Sequence, residues 1–305
     1  MPDLNVIEGG KQDANPFAKF NTPASPILFP VGERNVGWQQ RDGAYRRTPE
    51  HKAIIRLNEK GDNAQILNIV GSGYKLVHNR ELFTAVESAM TSEMPPEHIR
   101  DVLVKDRVSG WGKICYREYI FPSIRRRLAK TIGDIGFRVI VQNGYGGSAL
   151  RIHAGAIDFY CTNGMIRGEY VSAYRRHTSR LVLSKMNDTI THALSQYAIA
   201  TDEWQQWAEI PVTNKQTMDL FRAIAASDEM RDGLTEQFMR EQEVRGQNLW
   251  AVYSTLTHYA SHPEGAFAFR KTVEEADAVA ATMLRHEMDV ARWTRTDQWK
   301  AMQLA

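Results

Sequence analysis

The chain has 305 residues, enough for one large domain or two ordinary ones with a real core. Hydrophobic residues make up 43% and charged residues 24%, which excludes a disordered chain. No apolar run approaches the roughly 20 residues that span a bilayer, and the N-terminus lacks the basic-then-apolar layout of a secretory signal. With Cys115 and Cys161 as the only cysteines, a disulfide framework is excluded and a reducing cytoplasm is the expected setting.

The net charge of +2 conceals an asymmetry. Residues 100 to 180 hold 15 Lys/Arg against 6 Asp/Glu, while the remainder holds 23 against 30. A basic centre between acidic flanks concentrates a field that attracts phosphates.

Residues 1 to 52 carry Pro2, Pro16, Pro23, Pro26, Pro30 and Pro49 with little periodicity. Proline fixes φ and offers no amide donor, so this stretch is expected to be an extended N-terminal arm. Two apolar runs then flank the turn-rich "NEKGDN", which predicts a hairpin. "YKLVH" reads as extended, with Asn79 as the cap of a helix bearing Leu82, Phe83, Val86 and Met90 on one face. Pro95 and Pro96 close that helix.

"DVLVKDRVSG" and "GKICYREYIF" alternate with period two around a Ser-Gly turn. Residues 137 to 142 and 149 to 161 continue the alternation, with a glycine turn at Gly144, Gly146 and Gly147 and a bulge or tight turn at Gly155. The expected product is an antiparallel sheet with one oily and one basic face. From about residue 185 the apolar spacing becomes helical. The fold class is therefore α+β: a central twisted antiparallel sheet with packed helices over residues 53 to 184, and a helical C-terminal half over residues 185 to 305.

No catalytic template is visible. "NGYGGS" lacks a Gly-Lys-Ser/Thr ending and opens no helix, so it is no phosphate-binding P-loop. His153, Cys161 and His177 match no common zinc spacing. Neither a catalytic residue, a metal site nor a cofactor is expected; an enzyme would require Glu118, Asp134, Asp158 or His153 to converge.

The basic residues carry the functional signal. "SIRRRLAK" groups Arg125, Arg126 and Arg127, with Lys130 one turn beyond if the segment is helical, and "AYRRHTSR" adds Arg175 and Arg176. Lys113, Arg117, Arg138 and Arg151 lie between on strands, and Trp111, Tyr116, Tyr145 and Tyr160 interleave with them. Cations neutralise phosphates while flat rings accept bases, at about 1–3 kcal/mol per stacked base. The pattern predicts binding of single-stranded DNA, with Tyr116, Tyr145 and Tyr160 stacking. The same residues also suit a plain solvated surface and an aromatic core.

"VGSGYKLVHNRELF", "VQNGYGGSALRIHAGAIDFYCTNGMI", "RRHTSR" and "NLWAVYSTLTHYASH" together resemble a family of phage- and plasmid-borne proteins, the domain of unknown function 932. In the second stretch Asn143, Gly147, Ser148, Cys161, Asn163 and Gly164 fall on the family pattern. Ser254 stands near an expected Asn, and the likeness covers roughly residues 66 to 262. The resemblance implies mobile-element biology, and its strand-helix-strand layout is similar to single-strand annealing recombination proteins. The combined expectation is an ATP-independent, single-stranded DNA-binding or annealing protein that assembles into a homo-oligomeric ring or filament, without a membrane. The alternative is a phage structural or host-interaction protein with no DNA role.

Overall fold

In the computed structural model the described residues are 15–58, 63–128, 134–145, 150–158, 164–165, 186–261 and 289–304. The class is α+β, and the strands form two antiparallel sheets. The first holds β1 (Val31–Gln39), β2 (Tyr45–Leu57) and β3 (Asn63–Gly71) in that order. The second is a five-stranded meander of β4 (Leu103–Ser109), β5 (Ile114–Arg127), β6 (Asp134–Gly144), β7 (Arg151–Asp158) and β8 (Gly164–Met165).

The N-terminal region is more structured than its prolines suggest. Residues 31 to 52 already form β1 and half of β2, which pair antiparallel from Val31–Arg56 to Gln39–Tyr45. Pro49 is accommodated where the β1–β2 register slips between Asn35 and Gly37, so no ladder bond is demanded of it. Before β1, Phe17 and Ile27 are fully buried in the first core cluster.

Helix α1 (Asn79–Glu93) buries Leu82, Phe83, Val86 and Met90 as its spacing requires, and α2 (Pro96–Arg100) starts on a proline at its first position. "YKLVH" is irregular rather than a strand, and Asn79 does not cap α1. Its buried amide instead donates to Ile27 O at 2.6 Å, while its Oδ1 accepts from Asn143 at 2.7 Å. Gly155 pairs with Arg138 in unbroken register, so it is neither a bulge nor a turn. The glycine turn at Gly146 and Gly147 lies outside the described residues.

The C-terminal part holds α3 (Met186–Trp207), α4 (Asn214–Ile224), α5 (Asp228–Arg245), α6 (Leu249–Ser261) and α7 (Asp297–Gln303). Helix α3 spans two core clusters. Ile190 and Ala193 join the core shared by both sheets and α1, whereas Ala200, Trp204 and Trp207 join the helical core. Tyr197 sits between them, edge-on to Phe137 at 5.4 Å and donating its hydroxyl to Ile135 O at 2.6 Å. Trp207 meets both Tyr253 and Trp299 edge-on at 5.0 Å, contacts that add about 0.5–1.5 kcal/mol each beyond burial. No helix among the described residues is long and apolar enough to cross a membrane.

Candidate nucleic-acid interface

The five-stranded sheet does not present one open basic face. Opposed residues of an antiparallel pair share a face, so the register decides which side chains meet. Arg117 faces Asp106 on β4 and Val141 on β6, on the side that packs against α1. It is fully buried. Its Nε and NH2 donate to the two Asp106 oxygens at 2.8 Å each, and its NH1 donates to Glu87 at 3.0 Å and Asn21 at 2.6 Å. Burial opposes its charge, but the hydrogen bond to Asp106 and the fields of its anionic neighbours hold the guanidinium protonated. Glu87 also accepts from Tyr119 at 2.9 Å; burial raises its pKa against the hydrogen bonds from Asn21, Tyr119 and Arg117. Arg117 is a core ion and is withdrawn as a phosphate contact.

The opposite face joins Tyr116, Glu118, Arg138, Gln142, Arg151 and His153 through the β5–β6 and β6–β7 registers. This is the face expected to be basic and exposed, yet Tyr116, Glu118, Arg138, Gln142 and His153 are all buried. Arg138 donates to Glu118 at 2.8 Å, and Arg107 approaches the same carboxylate at 3.4 Å. Burial alone would raise the Glu118 pKa, but Arg138 and Arg107 together hold it below the usual range. His153 is pushed down to about 4 by burial and then by Arg151 and Arg138, and its Nε2 has no hydrogen-bond partner among the described residues. Arg138 is thus paired inside the protein, and Arg151 is partly buried further along the same face.

Two of the expected stacking rings, Tyr116 and Tyr145, are not available either. Tyr145 is fully buried and its hydroxyl accepts from the Asn79 amide at 2.9 Å, fixing the start of α1. Tyr116 is buried, and desolvation lifts its pKa to about 12. Among the described aromatics of the central region, Trp111 is exposed at the β4–β5 turn, with positive φ. Cys115 is buried, and its thiol pKa is raised to about 12 by desolvation, so it is not a reactive thiolate.

Arg125, Arg126 and Arg127 are on the surface, with side chains 62%, 42% and 64% exposed. They lie on a strand rather than a helix, so they alternate: Arg125 and Arg127 share Asp134 at 3.4 and 2.5 Å, while Arg126 pairs with Asp202 of α3. The Arg126–Asp202 pair is exposed on both sides, and pairs of that kind contribute about 0–1 kcal/mol and can exchange one anion for another, whereas the Asp134 carboxylate is only 19% exposed. Lys113 is exposed too, but it precedes β5 whereas the triplet ends it, roughly 40 Å along the strand at about 3.3 Å per residue. Lys130, Arg175, Arg176 and Tyr160 lie outside the described residues, as do Cys161 and His177. Among the described residues no group of three or more His, Cys, Asp or Glu could hold a metal ion.

The sequence reading passed over a second exposed basic surface, on β1 and β2. Arg34, Arg41, Arg46 and Arg47 are exposed and have no carboxylate partner among the described residues, and Trp38 and Tyr45 are exposed beside them. The signal was present as "GWQQRDGAYRR", two aromatic-basic pairs around an Asp-Gly turn.

The family model of the domain of unknown function 932 matches residues 66–301, which extends the likeness into α7. No curated protein and no solved structure matches the chain.

Proposed function

The chain belongs to the domain of unknown function 932 family, and from that premise we propose that it is a phage- or plasmid-encoded protein of recombination or replication that binds single-stranded DNA without ATP. The observation that carries this reading is the state of Arg125, Arg126 and Arg127. Three consecutive arginines stand at the surface, held by ion pairs to Asp134 and Asp202 and, for Arg126, by a hydrogen bond to Thr201. A phosphate can replace Asp202 at little cost, because a pair exposed on both sides is worth at most about 1 kcal/mol. The buried Arg117 and Arg138 differ sharply, since leaving their carboxylates uncompensated inside the protein costs about 3–5 kcal/mol.

The absence of a Gly-Lys-Ser/Thr loop from the sequence supports ATP independence. Annealing, and assembly of copies into a ring or filament that provides a continuous track, belong to the same proposal. Neutralised phosphates would let two strands approach while their base edges stay free to pair.

Fluorescence anisotropy with an oligo-dT, repeated across a salt series, tests the reading. The wild-type chain is expected to bind single strands more tightly than duplex, with affinity falling as salt rises. Changing Arg125, Arg126 and Arg127 together to Ala should shallow the log–log salt slope by about 2, at roughly 0.7 per lost phosphate contact. A wild-type chain that binds no oligonucleotide at physiological salt refutes the reading and favours a structural or host-interaction role.

A further inference from the structure

We propose that the projecting tip of the β1–β2 hairpin, residues 37–47, is a second grip on single-stranded nucleic acid, a site distinct from the arginine triplet of β5. The inference rests on the single-strand-binding reading above and adds a location and a division of labour to it.

The tip is a two-stranded ribbon standing clear of the sheet. Strand β2 pairs with β3 only from His51 onward, so Tyr45, Arg46 and Arg47 are held by β1 alone. The turn is locally closed: the Gln40 amide donates to Ala44 O at 2.7 Å, the Ala44 amide to Asp42 Oδ1 at 3.0 Å, and Gly43 adopts φ 85°. A rigid turn with a defined register reduces the ordering cost of binding.

Each face of the ribbon carries one ring and one guanidinium. Trp38 lies directly opposite Arg46, while Tyr45, opposite Gln39, shares the other face with Arg47. Trp38 is 51% exposed and Tyr45 59% exposed. Both rings are open to a base, and an arginine shares the face of each. Tyr45 is also pre-positioned. Its ring lies across Gly37, so close that a Cβ at 37 would come within 2.6 Å of its Cζ, and its hydroxyl reaches toward Asn35 O.

Charge separates this surface from the centre of the protein. Arg41, Arg46 and Arg47 have no carboxylate partner among the described residues, and Asp42, the one acid of the tip, is engaged by the Ala44 amide. Phosphates would therefore meet cations that need not first release an anion. Cross-strand neighbours lie about 4.5–5.5 Å apart at Cβ, so a base on Trp38 leaves its phosphate within reach of Arg46. Aromatic platforms beside cations are the chemistry that holds single strands without reading sequence. An acidic protein would use the guanidinium groups but has less use for the open rings.

The test uses the full chain and an oligo-dT, with three variants: Arg41, Arg46 and Arg47 together to Ala; the same three to Lys; and Trp38→Ala. The Ala triple should lose at least tenfold in affinity at low salt and shallow the salt slope by about 2, while the Lys triple retains the slope. Trp38→Ala should weaken binding about tenfold with the slope unchanged, as loss of one stacked base requires. Each variant is checked for the wild-type thermal midpoint; if the Ala triple fails to fold, the Lys triple and Trp38→Ala decide. Wild-type affinity and slope in the hairpin variants, beside a weakened β5 triplet variant, would overturn the hairpin site and leave the functional reading standing. A wild-type chain that binds no single strand would overturn both, and equal or tighter binding of duplex would overturn the assignment to single strands.

Discussion

Arg117 and Asp106 are cross-strand neighbours that close a two-point ion pair inside the core, Nε to Oδ1 and NH2 to Oδ2, each at 2.8 Å. The same guanidinium reaches the N-terminal segment, donating to Asn21 Oδ1 and to Phe20 O, and reaches α1 through Glu87. Three parts of the chain distant in sequence therefore meet on one side chain. Arg117→Met should cost about 3–5 kcal/mol in urea unfolding, because it strands Asp106 and Glu87 without their cation. Arg117→Lys should recover little, since an ammonium cannot bridge Asp106, Glu87 and Asn21 together. A loss below about 1 kcal/mol for Arg117→Met would refute the core role.

Arg117 also marks the limit of what the sequence discloses. Period-two alternation identifies residues that share a face, and it marks β4, the first part of β5, β6 and β7 as strands. It does not say what lies against that face. A buried arginine matched by Asp106 and a surface arginine awaiting a phosphate read alike, because the matching acid is supplied by a different strand. Helix α5 shows the complementary problem: it buries only Leu234 and Phe238 among its apolar residues, with Glu241 and Arg245 paired inside at 2.6 Å, so no apolar stripe announces it. The hairpin was hidden for a third reason. Its prolines lie just outside the ribbon or in its slipped register, where they do not interrupt pairing.

Glu118 and Arg138 form the second buried pair, and a double-mutant cycle should expose their coupling. Glu118→Leu removes the carboxylate that Arg138 and Arg107 share, and Arg138→Leu leaves that carboxylate with the longer contact to Arg107 at 3.4 Å. Each single change should cost about 3 kcal/mol or more, and the double change clearly less than the sum, because burying neither ion is cheaper than burying one. Additive losses in urea unfolding would mean the two side chains are not energetically linked.

His153 should give the protein an acid-sensitive step. Its folded pKa is lowered to about 4, chiefly by burial, against an ordinary value of 6.5. The folded state thus binds fewer protons than the unfolded chain between these values, and stability is complete above pH 6.5 and lost as pH falls toward 4. At about 1.36 kcal/mol per unit, the full loss is about 3 kcal/mol. Unfolding free energies measured between pH 7.5 and 4 should fall more steeply for the wild type than for His153→Gln. Parallel curves would show that the imidazole is already charged, or freely solvated, in the folded protein.

Gly37 offers a test of the hairpin that leaves every cation and ring in place. A Cβ there would lie 2.2 Å from Arg46 O and 2.6 Å from Tyr45 Cζ. The ring could swing aside, but the carbonyl belongs to the ribbon backbone, so Gly37→Ala must force the two strands apart. Because residues 45–47 pair with β1 alone, the disturbance should stay in the tip. Amide exchange from Trp38 to Arg47 should accelerate at least tenfold while the protection of β5 and β6 is unchanged. The global thermal midpoint should hardly move, since the tip contributes no residue to either core cluster. Exchange at wild-type rates throughout the tip would mean that Tyr45 is not held across Gly37 in solution. If instead the tip loosens and oligo-dT affinity falls with it, the geometry of the ribbon matters for binding as well as its charge.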